Sequence, residues 1–231
     1  MVLNNIEFDL DEQKIKQEIK VREAYPELEP QIENLLDRAR QAARPKAGYS
    51  RAVVEEVGDN SVLISGREFK SSVLPRLFQR GDVVFPYIAT CGVELEQIDL
   101  SAYDMLAGWW MSCIETEALH SAVNALEREV QQHYGDTELS SVNPGSGNVD
   151  VWPIEQQSVL FSLLGNTADT IGVELTESFL MRPAKSLSGI LFASEHSYCN
   201  CNSCTRQNCP DRRAPFTASL SGPGNGIANE H

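Results

Sequence analysis

Cys199, Cys201, Cys204 and Cys209 fall within eleven residues and read C-x-C-x2-C-x4-C-P, ending at Pro210. Four thiolates on one short loop can close on a single metal centre without a second chain segment. Soft thiolate ligands select zinc, copper(I) or iron–sulfur clusters. Structural zinc sites usually set two C-x2-C-like knuckles across a longer span, which this loop lacks. Its C-x4 and C-x2 intervals and its Cys-Pro ending have counterparts in ferredoxin ligand runs, in another order. The spacing therefore favours an iron–sulfur cluster, a 4Fe–4S cluster first, with zinc as the alternative and free or paired thiols as the ordinary case. Asn200, Asn202, Ser203, Thr205 and Asn208 make a flexible loop whose backbone N–H groups can point at sulfur. His196, three residues before Cys199, could join such a site, but with four cysteines available it reads as a loop residue.

Other residues carry weaker chemistry. Glu117 and His120 stand at i and i+3 on one helix face, the spacing of carboxylate-bridged metal sites, which need two such helices; only one is visible, so a hydrogen-bonded pair is expected. Glu177 falls between Leu175 and Phe179 on one face of an expected strand, where a carboxylate is costly unless paired or bound to a ligand. Pro144, Gly145, Ser146 and Gly147 form a loop that could admit a flat ligand or serve as a plain connection. Trp109 and Trp110 could line a cleft, although at least one belongs to a core by helical spacing. Cys91 and Cys113 stand alone in apolar surroundings and read as small hydrophobes. No phosphate-binding loop and no nucleophile arrangement can be argued from spacing, so no catalytic residue is assigned.

The chain is 231 residues long, enough for one large domain or two small ones, and its 42% hydrophobic content allows a substantial core. A formal net charge of −14 repels phosphate backbones, which excludes nucleic acid as a natural partner, and disfavours anionic membranes. No apolar run spans a bilayer, and residues 1–10 lack a basic stretch followed by an apolar one. A cytoplasmic location is expected, where clustered cysteines are more often metal ligands or redox groups than disulfides.

Helical spacing predicts a charged helix over residues 10–25 and an amphipathic one from Pro30 to Ala43, with Ile32, Leu35, Leu36 and Ala39 on one face. Strands are expected at Ala47–Val57 and Ser61–Ser65 around a Gly58-Asp59-Asn60 turn. A short helix at Ser71–Phe78 and an apolar strand at Asp82–Thr90 follow. The longest helix runs from Ala102 to Tyr134 and is stopped by Gly135. After a loop, a helix is expected from Pro153 to Leu164, then strands at Val173–Met181 and Leu187–Ala193. Residues 214–231 have the composition of a disordered tail. The order of elements predicts an α+β fold with an antiparallel twisted sheet and helices. The expected division is a helical segment 1–46, an α+β domain 47–198, a cysteine-rich metal loop 199–213 and the tail 214–231.

The stretch Leu175-Thr-Glu-Ser-Phe179, with Met181, Pro183, Ser186, Ser188, Gly189 and Phe192, follows the pattern L-T-E-S-F-x-M-x-P-x-x-S-x-S-G-x-x-F. It resembles the activation (reactivation) domain of cobalamin-dependent methionine synthase. Glu117-Ala-Leu-His120 fits that family's E-x-L-H, and Ala89-Thr90-Cys91-Gly92 its A-T-x-G, so about two thirds of the chain takes part. The resemblance implies a domain that caps cobalamin, binds S-adenosylmethionine and supports reductive remethylation of cob(II)alamin. It places Glu117, Pro144 and Gly145 in the ligand cleft, and Glu177, singled out by its position between Leu175 and Phe179, joins them as a candidate. The family's R-x-x-P-G-Y loop aligns with Ser141 to Ser146, so serines replace its arginine and tyrosine, and a serine cannot supply the guanidinium fork that grips a carboxylate. Tyr198 resembles a family tyrosine only with a one-residue gap. The resemblance and the cysteine loop together suggest a separate protein that reductively activates, or docks on, a corrinoid methyltransferase or methionine synthase core through an iron–sulfur centre. The alternatives are a non-catalytic capping module with structural zinc and an S-adenosylmethionine-binding part of a methionine synthase.

Overall fold

The computed structural model describes residues 1–19, 26–135, 137–146, 150–194, 198–206, 208–209 and 212–218. The end of the first expected helix (20–25), His196 and most of the expected tail (219–231) lie outside the described residues. In chain order the elements begin with β1 (Val2–Leu3), α1 (Glu12–Ile19), α2 (Glu29–Ala42), β2 (Lys46–Tyr49), β3 (Ala52–Val57), β4 (Ser61–Ile64) and β5 (Arg67–Lys70). Next come α3 (Leu74–Leu77), β6 (Val83–Thr90), α4 (Ala107–Tyr134) and β7 (Leu139–Val142). The chain continues with α5 (Gln157–Leu164), α6 (Thr167–Ile171), β8 (Glu174–Leu175), β9 (Met181–Arg182) and β10 (Ser186–Ala193). They build two compact units, one of residues 1–48, 88–134 and 166–187, the other of 49–87, 135–165 and 188–231.

In the first unit α4 presents a helical stripe of Ala107, Trp110, Met111, Ile114, Ala118, Ala122, Leu126 and Val130. Helices α1 and α2 pack on it, contributing Ile15, Ile32, Leu35, Leu36 and Ala39 to the core. Trp110 is fully buried, whereas Trp109, about 100° further back around the helix, is 47% exposed. The helix starts later than its apolar pattern because Asp104 ends the preceding turn. Its carboxylate accepts from Leu106 N–H (3.0 Å) and its carbonyl from Ala107 N–H (2.9 Å). Strand β1 pairs antiparallel with β2, Val2 opposite Gly48.

The second unit is built on strands in the order β7-β10-β6-β3-β4-β5. The β7/β10, β6/β3, β3/β4 and β4/β5 pairs are antiparallel. Val54, Val62, Ile64, Phe69, Val84, Ile190 and Phe192 form its core with Trp152 and Leu160. The rings of Phe78 and Phe192 meet edge to face at 5.1 Å, an arrangement favoured by the ring quadrupoles.

The α+β class with antiparallel pairing holds, and several boundaries are corrected. The expected strand Ala47–Val57 is two strands, broken at Ser50 and Arg51. The helix expected over Ser71–Phe78 shrinks to α3, preceded by a turn in which the Ser71 hydroxyl accepts from the N–H groups of Val73 and Leu74. The expected strand Val173–Met181 is a hairpin. β8 and β9 pair, and Thr176–Leu180 turns back on itself through Thr176 N–H to Leu180 O (2.8 Å), with Phe179 at φ 59°. Alternating apolar residues mimic one continuous strand there. Strands β5 and β7 escape sequence reading because they are short and polar.

Candidate functional site

Strand β7 delivers the chain into Asn143-Pro144-Gly145-Ser146. Proline presets the first central position of the turn and Gly145 takes φ 71° at the second, while Ser146 N–H donates to Asn143 O at 3.3 Å. That is a type II turn, which requires a residue tolerant of positive φ at this position. Gly145 N–H then donates to Trp152 O at 2.8 Å. A Cβ on Gly145 would stand 2.9 Å from the Ile154 Cβ. The turn is thus fixed in place, with Pro144 buried and Gly145 half-buried.

The side chain of Asn143 anchors this turn. Its Nδ2 donates to the Tyr87 hydroxyl (2.8 Å) and to Ser188 O (2.8 Å). Its Oδ1 accepts from Ser141 Oγ (3.2 Å) and from Asn200 Nδ2 (2.8 Å). The Tyr87 hydroxyl lies 2.9 Å from Ser141 Oγ, closing a ring Asn143–Tyr87–Ser141. A side-chain amide offers two donors and two acceptor lone pairs, and all four are used here. Ser141, which aligns with the arginine of the resembled family, therefore spends its hydroxyl inside this ring.

The cysteine loop docks against the same turn. Tyr198 N–H donates to Ser140 Oγ (2.8 Å) and the Tyr198 ring is buried, its hydroxyl 3.3 Å from Ser203 Oγ. Burial pushes that phenol's pKa up. Asn200–Ser203 forms one 3-10 turn, closed at its start by Cys199 N–H to Asn202 Oδ1 (2.9 Å). Arg212 fills the loop's interior. Its guanidinium donates to Cys201 O (3.1 Å), Ala214 O (3.1 Å) and Cys204 O (3.1 Å), and also to Arg206 O. A rigid planar fork of donors suits this wrapping. A cavity of about 490 Å³ opens beside Cys204, Thr205, Arg212 and Phe216.

Cys199 and Cys201 flank Asn200 at the start of the 3-10 turn, close enough for each thiol to influence the other's ionisation. Cys201 Sγ accepts from Arg213 N–H at 3.4 Å. That backbone bond, with a second from Ala214 and the nearby Arg213 charge, holds the Cys201 thiol below its ordinary range, while burial pushes Cys199 up. Among the described residues no three His, Cys, Asp or Glu side chains converge on a point suited to a metal ion. The donor set fits a thiophilic metal in type, with N–H groups aimed at sulfur. Cys204 and Cys209 would have to close on Cys199 and Cys201 to complete the ligation.

Glu117 and Glu177 belong to the first unit. Glu117 is buried on α4 and accepts from Lys14 Nζ at 2.6 Å, with His120 Nδ1 at 3.2 Å from the same oxygen. The hydrogen-bonded pair expected from the spacing is present, joined by a lysine that sequence reasoning missed because it lies 103 residues away. The group borders a polar cleft of about 520 Å³. Glu177 is exposed in the β8–β9 turn rather than sharing a strand face with Leu175 and Phe179. Cys91 is buried, and its thiol is pushed up to about 12 by burial and then by the charges of Glu115 and Glu96. It is inert as a nucleophile at neutral pH. Glu115 is likewise raised, by burial first and Glu96 second, with Lys185 opposing.

Of the residues singled out in the sequence, Pro144 and Gly145 thus meet the loop bearing Cys199, Cys201, Cys204 and Cys209. The side chains that join them, Asn143 and Asn200, were not singled out as a pair, and Tyr87, which anchors Asn143, went unnoticed. The one available signal was an asparagine immediately before Pro-Gly and another between two cysteines.

Residues 127–214 match the family model described as "Vitamin B12 dependent methionine synthase, activation domain". The chain is activation-domain-like over that span, which takes in the Pro–Gly turn, the L-T-E-S-F segment and the cysteines. Among solved structures it is similar to one described as "Crystal Structure of the MetH Reactivation Domain bound to AdoHcy", with a TM-score of 0.56 and 16% identity. The similarity covers 81% of this chain and 71% of that one. That likeness establishes the fold. No curated protein matches the chain. No helix among the described residues is long and apolar enough to cross a membrane.

Proposed function

We propose that this activation-domain-like chain docks on a corrinoid methyltransferase or methionine synthase core and serves the reductive activation of its cobalamin through a metal centre on residues 199–213. The observation that carries the reading is the attachment of a four-cysteine loop to the Pro–Gly turn of an activation-domain scaffold. A cluster held by Cys199, Cys201, Cys204 and Cys209 would supply one-electron reducing equivalents at a potential set by hydrogen bonds to sulfur and by exposure. The chain's own residues provide the setting. Arg213 N–H faces the Cys201 sulfur, Arg212 holds the loop carbonyls inward, and half-buried cysteines leave an edge open to a partner. The net charge of −14 favours a partner with a basic face. Segments 1–46 and 47–198 act in this reading as the supporting helical part and the α+β scaffold, and the first residues from 214 brace the loop, Ala214 O accepting from Arg212 and Thr217 N–H donating to Asn202 O. Ser141 offers no cationic fork for an amino-acid carboxylate, so S-adenosylmethionine, the ligand class suggested by the AdoHcy of the similar structure, is disfavoured here.

The test is anaerobic. A corrinoid partner held as cob(II)alamin is mixed with the metal-loaded protein and a low-potential donor, and the corrin spectrum is followed. The wild-type chain is expected to speed reduction at least about tenfold over the Cys199→Ser/Cys201→Ser variant, a difference of about 1.4 kcal/mol in barrier. Binding with equal rates for both chains would remove the redox role and leave a capping module, for which colourless structural zinc is the fitting metal.

A further inference from the structure

We infer that Asn143 and Asn200 form a clasp through which the cysteine loop and the Pro–Gly turn act on one another. The two residues exchange two hydrogen bonds, Asn200 Nδ2 to Asn143 Oδ1 at 2.8 Å and Asn143 N–H to Asn200 Oδ1 at 3.3 Å. Each is placed where movement has consequences. Asn200 stands between Cys199 and Cys201 at the start of the 3-10 turn, so a rotation there changes the separation of the two thiols. Asn143 precedes Pro144, and its amide is saturated by Tyr87, Ser141, Ser188 and Asn200. It cannot turn without breaking bonds on all sides. Tyr198 N–H to Ser140 Oγ adds a second tie between the same two segments.

Asn143 and Asn200 are therefore positioning residues. The turn sets the spacing of Cys199 and Cys201, and closure of the thiolates around a metal pulls on Pro144 and Gly145. Linkage makes the effect mutual. Whatever changes the turn changes metal affinity by the same factor by which metal changes binding at the turn. The metal half of this statement rests on the function proposed above; the clasp itself does not.

The experiment measures amide hydrogen exchange and cadmium binding on the full chain. In metal-free protein, Asn200→Ala, which removes both clasp bonds, is expected to speed exchange of residues 140–146 about tenfold, and Asn143→Ala, which removes one and keeps the bond from its backbone N–H, to speed that of residues 198–204 by a few-fold. Asn208→Ala, an asparagine of the same loop outside the clasp, should change neither. In the wild type cadmium should slow exchange at 140–146, and Asn200→Ala should abolish that effect while weakening cadmium binding about tenfold. Rescue of both readouts is expected from neither Asn200→Asp nor Asn200→Leu, since both lack the donor. Unchanged exchange across the clasp in both metal-free variants overturns the inference. If exchange is coupled but the wild type takes up no cadmium, the clasp stands and the metal reading of the loop falls. Should Asn143→Ala fail to fold, Asn200→Ala, on a half-buried loop turn, decides the matter alone.

Discussion

Replacing Gly189 by alanine is expected to destabilise the protein by about 3 kcal/mol and to disturb the turn and the cysteine loop together. A Cβ there would lie 2.4 Å from Asn143 Nδ2, 2.6 Å from Val142 O and 3.1 Å from Tyr87 Cε1. The Val142 carbonyl cannot withdraw easily, because β7 is locked to β10 with Val142 opposite Ile190. Asn143 cannot withdraw without losing Tyr87 and Ser188. Overpacking of this kind costs about 1–3 kcal/mol, and a buried polar group left unpaired about 1–3 more. Gly108→Ala is the control. That glycine lies in α4 with nothing within 4 Å of an added Cβ, so the same change should stabilise by about 0.5–1 kcal/mol. Urea unfolding of the two variants should move the midpoint in opposite directions. A Gly189→Ala midpoint equal to that of the wild type would mean that the close approach of β10 to Asn143 is not tight in solution.

Arg212→Ala is expected to leave the fold intact and to lower metal affinity about a hundredfold. The guanidinium binds the carbonyls of Cys201, Cys204, Arg206 and Ala214, so one side chain defines the path between the cysteines. Its removal releases the loop without opening the core, which is built from other residues. Loss of a partner that orients metal ligands costs about 10–100-fold in affinity, and four bonds place this case at the upper end. Arg212→Lys should not restore binding, because an ammonium is a point charge without the planar fork. Competition with a chelator of known affinity gives the readout. Equal retention of metal by wild type, Arg212→Ala and Arg212→Lys would show that the cysteines organise themselves.

What could be read in the chain follows from the distance over which each feature is encoded. The cysteine run was legible because all four candidate ligands lie on one segment. Helix α4 was legible because its apolar stripe repeats over 28 residues. The Gly58 turn was legible from a local signal and closes by Gly58 N–H to Ser61 O at 2.8 Å. The β8–β9 hairpin was not, because Leu175, Phe179 and Met181 alternate like one strand, and only a positive φ at Phe179 reverses the chain. Glu177 consequently faces water instead of a strand surface. The Asn143–Asn200 clasp spans 57 positions, and nothing near either asparagine announces a partner. Arg212 went unremarked, because its value lies in four carbonyls that only the folded loop collects. Lys14, the distant partner of Glu117, was hidden in the same way.

The proposed function requires that the thiolate loop hold metal. The direct measurement is metal and acid-labile sulfide analysis, with an optical spectrum, of the chain purified without oxygen, beside a variant carrying serine at positions 199, 201, 204 and 209. The wild type should contain iron and sulfide and show thiolate-to-iron charge-transfer absorption, and the serine variant should lack all three while keeping its fold. Equal metal content and identical spectra in the two chains would contradict it.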